Sequence, residues 1–299
     1  MRGDPDPTPG KTLLEPEFLR RLERLELSAR KVMSGERRGD VTTRRRGGGT
    51  QFREHRGYVP GDDPRFLDWN AFLRLGDLVV KEFDAEETPR LAIFLDRSGS
   101  MALGGGEKLW MAQRLAAALG YVGLCRHASV GCVPFPGDGH VPFFRGRAAV
   151  PRFLDGLASL EPGGETVLLR AFKGACPPGR PTGLAVVMSD FFETVEYRKA
   201  LQFLNRRGFA VHALHLVSGT DQEPPASGWL EIKDTETGRV LRERITPRLA
   251  DAYCEAVQQH FREVEQTCRE LQVAYHRIPT SAQVEHTVLT LLRQGALVR

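Results

Sequence analysis

Short apolar runs alternate with amphipathic stretches over the C-terminal two-thirds of the chain. Segments such as 91–95 and 184–188 contain only apolar residues, which is typical of strands buried on both faces. Longer segments between them carry apolar residues at three- and four-residue spacing, which indicates helices. We therefore predict strands over 91–95, 128–135, 184–188, 209–217 and 273–278, and helices over 108–126, 148–160, 167–173, 197–207, 247–271 and 282–293.

Strands separated by helix-length segments predict βαβ units, in which a helix joins two parallel strands. The expected fold class is therefore α/β, with a mostly parallel sheet flanked by helices. Residues 140–144 are expected to return beside the strand over 128–135. Residues 229–245 predict an inserted β-hairpin, because the turn sequence Thr-Glu-Thr-Gly lies at their middle.

The first 88 residues follow a different pattern. A helix is expected over 15–33, and the Arg- and Gly-rich residues 34–50 predict a mobile basic loop. Residues 51–87 are rich in charges, aromatic rings and turn formers and end in a strand over 78–83. We divide the chain into an N-terminal helix and basic flexible loop (1–48), a segment packing on the core (49–88), and the α/β domain (89–299).

Composition narrows the class of protein. Of 299 residues, 41% are hydrophobic and 27% charged, which favours a folded, soluble core over wholesale disorder. The first residues are not followed by the apolar stretch of a secretory signal, and no run approaches the roughly 18–20 apolar residues of a membrane span. Five cysteines without a Cys-x-x-Cys pair fit a reducing compartment. We therefore expect a cytoplasmic protein without a membrane partner.

Oxygen-bearing side chains follow several of the predicted strands. The string Asp-Arg-Ser-Gly-Ser-Met begins at Asp96, directly after the strand over 91–95, and Asp190 follows the strand over 184–188. Thr166 follows a Gly-rich loop. In open α/β sheets ligands bind at the carboxyl ends of strands, and hard oxygen ligands suit Mg²⁺, Ca²⁺ or Mn²⁺. The alternative interpretation is that these are ordinary turn and cap residues without a metal.

The order of these residues resembles the metal-ion-dependent adhesion site of von Willebrand factor A-like domains. That site has the pattern Asp-x-Ser-x-Ser, then a distant Thr and a distant Asp. The resemblance implies a Mg²⁺ ion, with Mn²⁺ or Ca²⁺ as alternatives, held by hydroxyls and by aspartates directly or through water. One coordination position would remain for an acidic residue of a protein partner. The implied metal residues are Asp96, Ser98, Ser100, Thr166 and Asp190.

The segment before the α/β domain carries a second, more distinctive pattern. It resembles the signature of the bacterial and archaeal "domain of unknown function 58" family, Tyr-x-Pro-Gly-Asp-Asp-x-Arg-x-x-Asp-Trp, followed by x-Arg-x-Gly and a Glu-Phe strand. The resemblance runs from about residue 49 to the C-terminus, and implies a von Willebrand A-like domain after the signature. Phe66 and Glu165 depart from the commoner residues. The matching positions are Tyr58, Pro60, Gly61, Asp62, Asp63, Arg65, Asp68, Trp69 and Arg74.

The physical interpretation of this signature is a structural clasp, with a partner-docking surface as the alternative. The prolyl–glycyl pair predicts a turn. The three aspartates are expected to form a charge-assisted network with Arg65 and Arg74. Trp69 is expected to anchor that network by burial.

The family resemblance also implies a function. Such proteins are commonly encoded beside MoxR-type AAA+ ATPases, which implies an adaptor or chaperone-like partner of such an ATPase. The expected function is therefore a Mg²⁺-dependent, non-enzymatic protein-binding module.

Two other functions remain open from the residues. The Arg-rich stretch over 37–56 could bind nucleic-acid phosphates, although the sequence pI is only about 8.9. A metal-dependent hydrolase would use the same ion to activate water, with Glu165 as the general-base candidate. A phosphate loop is excluded, because Gly105 and Gly106 stand where Lys and Ser or Thr are needed.

Overall fold

The computed structural model describes residues 13, 15–36, 46–84, 90–137, 142–163, 168–176, 183–192, 194–222, 228–233 and 240–293. The chain divides into two compact units, one of residues 1–36 with 89–299 and one of residues 37–88. The strands are β1 (Arg46–Gly57), β2 (Val79–Asp84), β3 (Arg90–Asp96), β4 (Ser129–Phe135), β5 (Phe144–Arg145), β6 (Gly183–Ser189), β7 (Phe209–Val217), β8 (Gly228–Lys233), β9 (Val240–Ile245) and β10 (Ala274–Pro279). The helices are α1 (Pro16–Glu36), α2 (Trp69–Leu75), α3 (Glu107–Cys125), α4 (Val150–Ala158), α5 (Leu168–Ala175), α6 (Thr194–Arg206), α7 (Gly219–Gln222), α8 (Pro247–Glu270) and α9 (Val284–Arg293).

Six strands form the central sheet of the larger unit, in the order β10-β7-β6-β3-β4-β5. Neighbouring strands run parallel, except that the edge strand β5 pairs antiparallel with β4. The predicted α/β class with a mostly parallel sheet is therefore confirmed. The chain also returns beside β4 as predicted, but the paired strand covers Phe144–Arg145 rather than 140–144.

The strand order reverses at the middle of the sheet. β3 is the first of these strands in the chain, and the next two, β4 and β5, are added on one side of it. The later strands β6, β7 and β10 are added on the other side. Such a reversal leaves a crevice outside the carboxyl ends of the two strands that meet there, and ligands of open α/β sheets bind in that crevice.

Alternate residues of β3 enter two separate cores. Leu91, Ile93 and Leu95 pack with α1, α3, α4 and α9 on one face. Ala92 and Phe94 pack with α5, α6 and α8 on the other. Since both faces are covered, the strand reads as a continuous apolar run rather than an alternating one.

Helix α1 packs in the core that contains Leu91, Ile93 and Leu95. Phe18, Leu22 and Leu25 are buried in the same core as α3 and α9. The Arg21 guanidinium donates to both carboxylate oxygens of Glu285 on α9, at 2.5 and 2.8 Å. The amphipathic pattern over 15–33 thus corresponds to a helix that closes one face of the sheet.

The smaller unit is built on an antiparallel pair, β1 with β2, and on α2. The prediction of a loop over 34–50 is wrong at both ends, because α1 continues to Glu36 and β1 begins at Arg46. Residues 37–45 lie outside the described residues. Pairing with β2 supplies the hydrogen bonds of β1, and local composition does not reveal such a partner. The packing of 49–88 on the core stays a prediction.

The inserted hairpin is present as β8 paired antiparallel with β9, from Gly228 opposite Ile245 to Lys233 opposite Val240. Its connection over 234–239 lies outside the described residues. Among the helices that the structure describes, none combines the length and apolarity needed to cross a membrane.

Phe94 tests the core beneath the strand ends. It is fully buried, and its ring centroid lies 4.2 Å from that of Phe172. Phe94→Ala should lower the free energy of unfolding by about 3–5 kcal/mol, because it removes buried area and leaves a cavity. Leu27→Ala, at a residue that is 56% exposed, should change it by less than about 0.5 kcal/mol. Chemical denaturation measures both, and equal losses would contradict the assigned core.

Candidate functional site

Two carboxylates are buried at adjacent strand ends. Asp96 is the last residue of β3, and Asp190 follows the last residue of β6; the two strands pair with Leu95 opposite Met188. The two aspartates are 2% and 3% exposed. They lie where the strand order reverses, so the crevice expected to hold a ligand is lined by both.

Asp96 is held by three donors. Its Oδ1 accepts a hydrogen bond from the backbone N–H of Ser98 at 2.8 Å, and its Oδ2 accepts from the hydroxyls of Ser189 and Tyr197. Burial, and after it the charge of Asp190, raise the pKa of Asp96 above its ordinary value, although the three hydrogen bonds oppose the shift. Burial also raises the pKa of Tyr197 well above its ordinary value, so its hydroxyl keeps the proton that it donates.

The two serine hydroxyls converge in the loop after β3. Ser98 Oγ and Ser100 Oγ lie 3.0 Å apart. The hydrogen bond from Ser98 N–H to the Asp96 side chain is an Asx-type turn, and it folds the loop back over the strand end. Met101, which is fully buried, anchors the 3-10 helix Gly99–Gly105 that follows. The loop therefore presents two oxygens together beside a buried carboxylate.

The residue after Asp190 has an unusual backbone conformation. Phe191 has φ 53°, in the left-handed region that bulky residues rarely adopt. Its side chain is 1% exposed and packs 4.7 Å from the Tyr197 ring, between centroids. Such strain is of the order of 1–3 kcal/mol and persists where the surroundings enforce it, often at functional sites. Phe191 lies between Asp190, which is buried, and Phe192, which is exposed.

A lysine that the sequence analysis missed lies beside Asp190. Lys108, the second residue of α3, is 0% exposed. Its Nζ donates to Asp190 Oδ2 at 2.9 Å and to Asp221 Oδ1 at 3.2 Å. Asp221 lies in α7, after β7, so the ammonium joins carboxylates that follow two neighbouring strands, β6 and β7. A charged residue inside the apolar pattern of α3 was the available sequence signal, but it did not identify the partners.

Thr166 and Glu165 lie outside the described residues, so the structure does not place them. Gly163, three residues before Thr166, is described, and its backbone N–H donates to the Arg97 carbonyl at 2.7 Å. The Arg97 side chain also donates to the carbonyls of Pro136 and Glu161, at 2.8 and 2.9 Å. Gly163 thus lies against the loop of the two serines.

Aromatic side chains surround the Asp190 side of the site. The rings of Phe192 and His260 stack with centroids 5.3 Å apart, and Lys108 Nζ lies 5.2 Å from the Phe192 ring. His215, on β7, is 1% exposed and lies 2.9 Å from the Tyr275 hydroxyl through its Nδ1. Burial, followed by the charges of His260, Arg277 and Lys108, lowers the pKa of His215 to about 3. The imidazole is therefore neutral at physiological pH.

The signature segment forms its own polar network within residues 46–84. The backbone N–H of Asp62 donates to the Val59 carbonyl at 3.0 Å, with Gly61 at φ 108°, which confirms the turn at Pro60-Gly61. Arg56 Nη2 donates to both carboxylate oxygens of Asp62, at 2.8 and 2.9 Å. The backbone N–H of Tyr58 donates to the Leu78 carbonyl at 2.9 Å.

Asp63 and Asp68 start the two helical segments of this unit. Asp63 caps the 3-10 helix Pro64–Phe66 and pairs with Arg65 at 2.7 Å. Asp68 caps α2 and accepts from His55 at 2.8 Å, and this hydrogen bond is the largest of the effects that lower its pKa to about 2. The predicted charge-assisted network is therefore present in part, with His55 and Arg56 as members that the sequence analysis missed, and the role of a clasp stays a prediction.

Two expectations for the signature are wrong. Trp69 does not anchor the network by burial, because it is 58% exposed at the first position of α2. Arg74 makes no ion pair with another described residue. The three aspartates pair instead with Arg56, Arg65 and His55. All residues of α2 except Ala71 are exposed.

The described residues limit how a metal could be held. Within the part of the chain that the structure describes, no three His, Cys, Asp or Glu side chains form a group suited to a metal ion. Any ion at the Asp96–Asp190 crevice would therefore need hydroxyl ligands as well. Ser98 and Ser100 are the hydroxyls in position for that role.

Comparison with known proteins gives a consistent family match. The model of the family "Protein of unknown function DUF58" matches residues 54–263. The uncharacterised proteins Rv1480 of Mycobacterium tuberculosis and Mb1516 of Mycobacterium bovis are each 28% identical over 276 residues, covering 90% of this chain and 84% of theirs.

Two solved structures were also matched. One is the conserved hypothetical protein BatB from Bacteroides thetaiotaomicron, at 19% identity and TM-score 0.44, covering 70% of this chain and 98% of that one. The other is an aerotolerance-related membrane protein from Bacteroides fragilis, at 20% identity and TM-score 0.40, covering 69% and 99%.

His215 makes the stability of the fold depend on pH. Its pKa rises from about 3 in the folded chain to the ordinary 6.5 on unfolding. Between these values the unfolded chain binds a proton that the folded chain does not, so acidification should cost about 1.4 kcal/mol per pH unit. His215→Asn should remove this slope, whereas His127→Asn, at an exposed histidine, should retain it. Chemical denaturation at pH 7, 6 and 5 measures the slopes, and parallel profiles would refute the assignment.

Proposed function

Because the chain belongs to the DUF58 family, we propose that it is a divalent-cation-dependent protein-binding module. The observation that supports this proposal is that oxygen-bearing side chains lie at the ends of two neighbouring strands of the sheet. Asp96 ends β3, Ser98 and Ser100 follow it, and Asp190 follows the neighbouring strand β6. These are four of the five residues that the adhesion-site resemblance implies.

The chemistry of these donors fits a hard cation. Ser98 Oγ and Ser100 Oγ are close enough, at 3.0 Å, to face one ion together. Asp190 uses Oδ2 for Lys108, and its Oδ1 accepts no hydrogen bond from the described residues. Asp96 has both oxygens engaged, so it would act through its charge and by orienting Ser98. A bound Mg²⁺ or Mn²⁺ would offer a coordination position to a carboxylate of a partner.

The proposal includes a von Willebrand A-like fold, which is more specific than the α/β class. The sheet begins at its middle strand, adds an antiparallel edge strand on one side, and continues on the other side. This order supports a von Willebrand A-like arrangement for residues 89–299.

The partner that we propose is a MoxR-type AAA+ ATPase or its client, in an adaptor or chaperone-like role. This part rests on the family resemblance. The module itself would bind rather than catalyse. The two alternatives gain no support from the structure, because Glu165, Arg44 and Arg45 lie outside the described residues.

Removing the two serine hydroxyls tests the metal site. At ten times its dissociation constant, Mg²⁺ or Mn²⁺ should stabilise the wild-type fold by about 1.4 kcal/mol. The double variant Ser98→Ala with Ser100→Ala should lose this gain. Ser28→Ala, on α1, is the matched control and should retain it. Thermal unfolding in EDTA and then in MgCl₂ or MnCl₂ measures the effect, and identical metal responses of wild type and double variant would overturn the site.

The partner proposal has a separate test with a purified MoxR-type ATPase. Wild type should bind the nucleotide-free ATPase in MgCl₂, and the double serine variant should bind at least about tenfold more weakly, a loss of roughly 1.4 kcal/mol. Using the variant rather than a chelator keeps the magnesium concentration the same in both binding measurements. Equal binding of wild type and double variant would show that the crevice is not the contact.

A further inference from the structure

Lys108 occupies a place where a lysine is unfavourable. It is the second residue of α3, and the N-terminus of a helix repels positive charge. No side chain caps this helix, because Gly106 stands at the N-cap. The side chain is also 0% exposed, and a buried ammonium is costly unless carboxylates compensate it. Its position therefore depends on the two carboxylates that it binds.

Asp221 is held in place for this contact. Its Oδ2 accepts from the backbone N–H of Ser218 at 2.9 Å, and its own N–H donates to Ser218 Oγ at 3.2 Å. Its carbonyl accepts from the Tyr253 hydroxyl of α8 at 3.1 Å. Oδ1 is thereby directed to Lys108.

The formal charges show what Lys108 does to the crevice. Asp96, Asp190 and Asp221 contribute three negative charges and Lys108 one positive charge, so the cluster carries a net charge of −2. A divalent cation would bring it to zero. Without Lys108 the charge would be −3, and the carboxylates of Asp190 and Asp221 would have no cation between them in the metal-free chain.

We propose that Lys108 is a positioning residue and an internal counterion for the proposed cation site. This inference rests on the proposed function. Lys108 binds Asp190 through Oδ2 and leaves Oδ1 open to the crevice. Its charge also repels an incoming cation, so it sets the metal affinity lower than the carboxylates alone would give. The fold consequently persists without metal, and the site exchanges its ion with the solution.

Removing the charge at Lys108 should have opposite effects on affinity and on metal-free stability. Lys108→Met keeps the length of the side chain and should bind Mn²⁺ and Mg²⁺ about tenfold more tightly or better, since one unit charge close to a divalent ion is worth at least that factor. In EDTA it should melt below wild type, and MgCl₂ should restore most of the difference. Calorimetric titration with MnCl₂ and MgCl₂, and thermal unfolding in EDTA and in MgCl₂, measure these effects.

Three further variants test whether the change in metal affinity comes from the charge at position 108. Lys108→Arg keeps the charge and should leave the affinity unchanged. Lys199→Met removes the same charge from an exposed position of α6 and should also leave it unchanged. Asp221→Asn should weaken Mn²⁺ binding, because it makes the cluster less negative while Asp190 keeps its partner.

The outcomes distinguish this inference from the metal proposal. If wild type binds Mn²⁺ and Lys108→Met binds it no more tightly, Lys108 does not set the affinity and the inference is overturned. If no variant binds Mn²⁺ or Mg²⁺, the metal site itself fails and this inference fails with it. If Lys108→Met folds only in MgCl₂, the counterion role is supported. If Lys108→Met folds neither in EDTA nor in MgCl₂, the Mn²⁺ affinity of Asp221→Asn decides. An affinity equal to that of wild type overturns the inference.

Discussion

Two carboxylates buried beside each other at the edge of an apolar sheet impose the constraint on which this site depends. A buried charge without a partner costs several kcal/mol, and a second like charge nearby adds to that cost. Asp96 is compensated by three hydrogen-bond donors, and Asp190 by the ammonium of Lys108. The loop after β3, the end of β6 and the helices α3 and α6 supply these groups.

Irregular backbone also occurs at the same end of the sheet. Gly104, Gly105 and Gly106 all have positive φ in the connection between the serine loop and α3, and Phe191 has positive φ beside Asp190. Glycine adopts this conformation at little cost, whereas Phe191 does so only because its ring is packed in the core. A natural fold usually departs from local preferences where a site requires it. The departures here coincide with the crevice at which the strand order reverses.

The pairing of Asp96 with Asp190 could be predicted from the sequence, because both follow apolar runs and parallel strands end at a common edge. The helices and strands of the α/β unit were predicted for the same reason, since a period of 3.6 or a continuous apolar run is a short-range signal. The start of a strand at Arg46 and the exposure of Trp69 were not predicted from the sequence. Whether a glycine-rich stretch pairs, or a tryptophan is covered, depends on what another segment offers.

The sequence by itself determined the α/β class, the order of the elements and the strand ends that carry oxygen-bearing side chains. Only the tertiary structure decided which groups compensate the buried charges. Tyr197 contacts Asp96 across 101 residues, and Lys108 contacts Asp190 and Asp221 across 82 and 113. Local periodicity reports which face of an element is buried. The partner of a buried charge follows instead from the order of strands in the sheet, which is set by packing between segments distant in the chain.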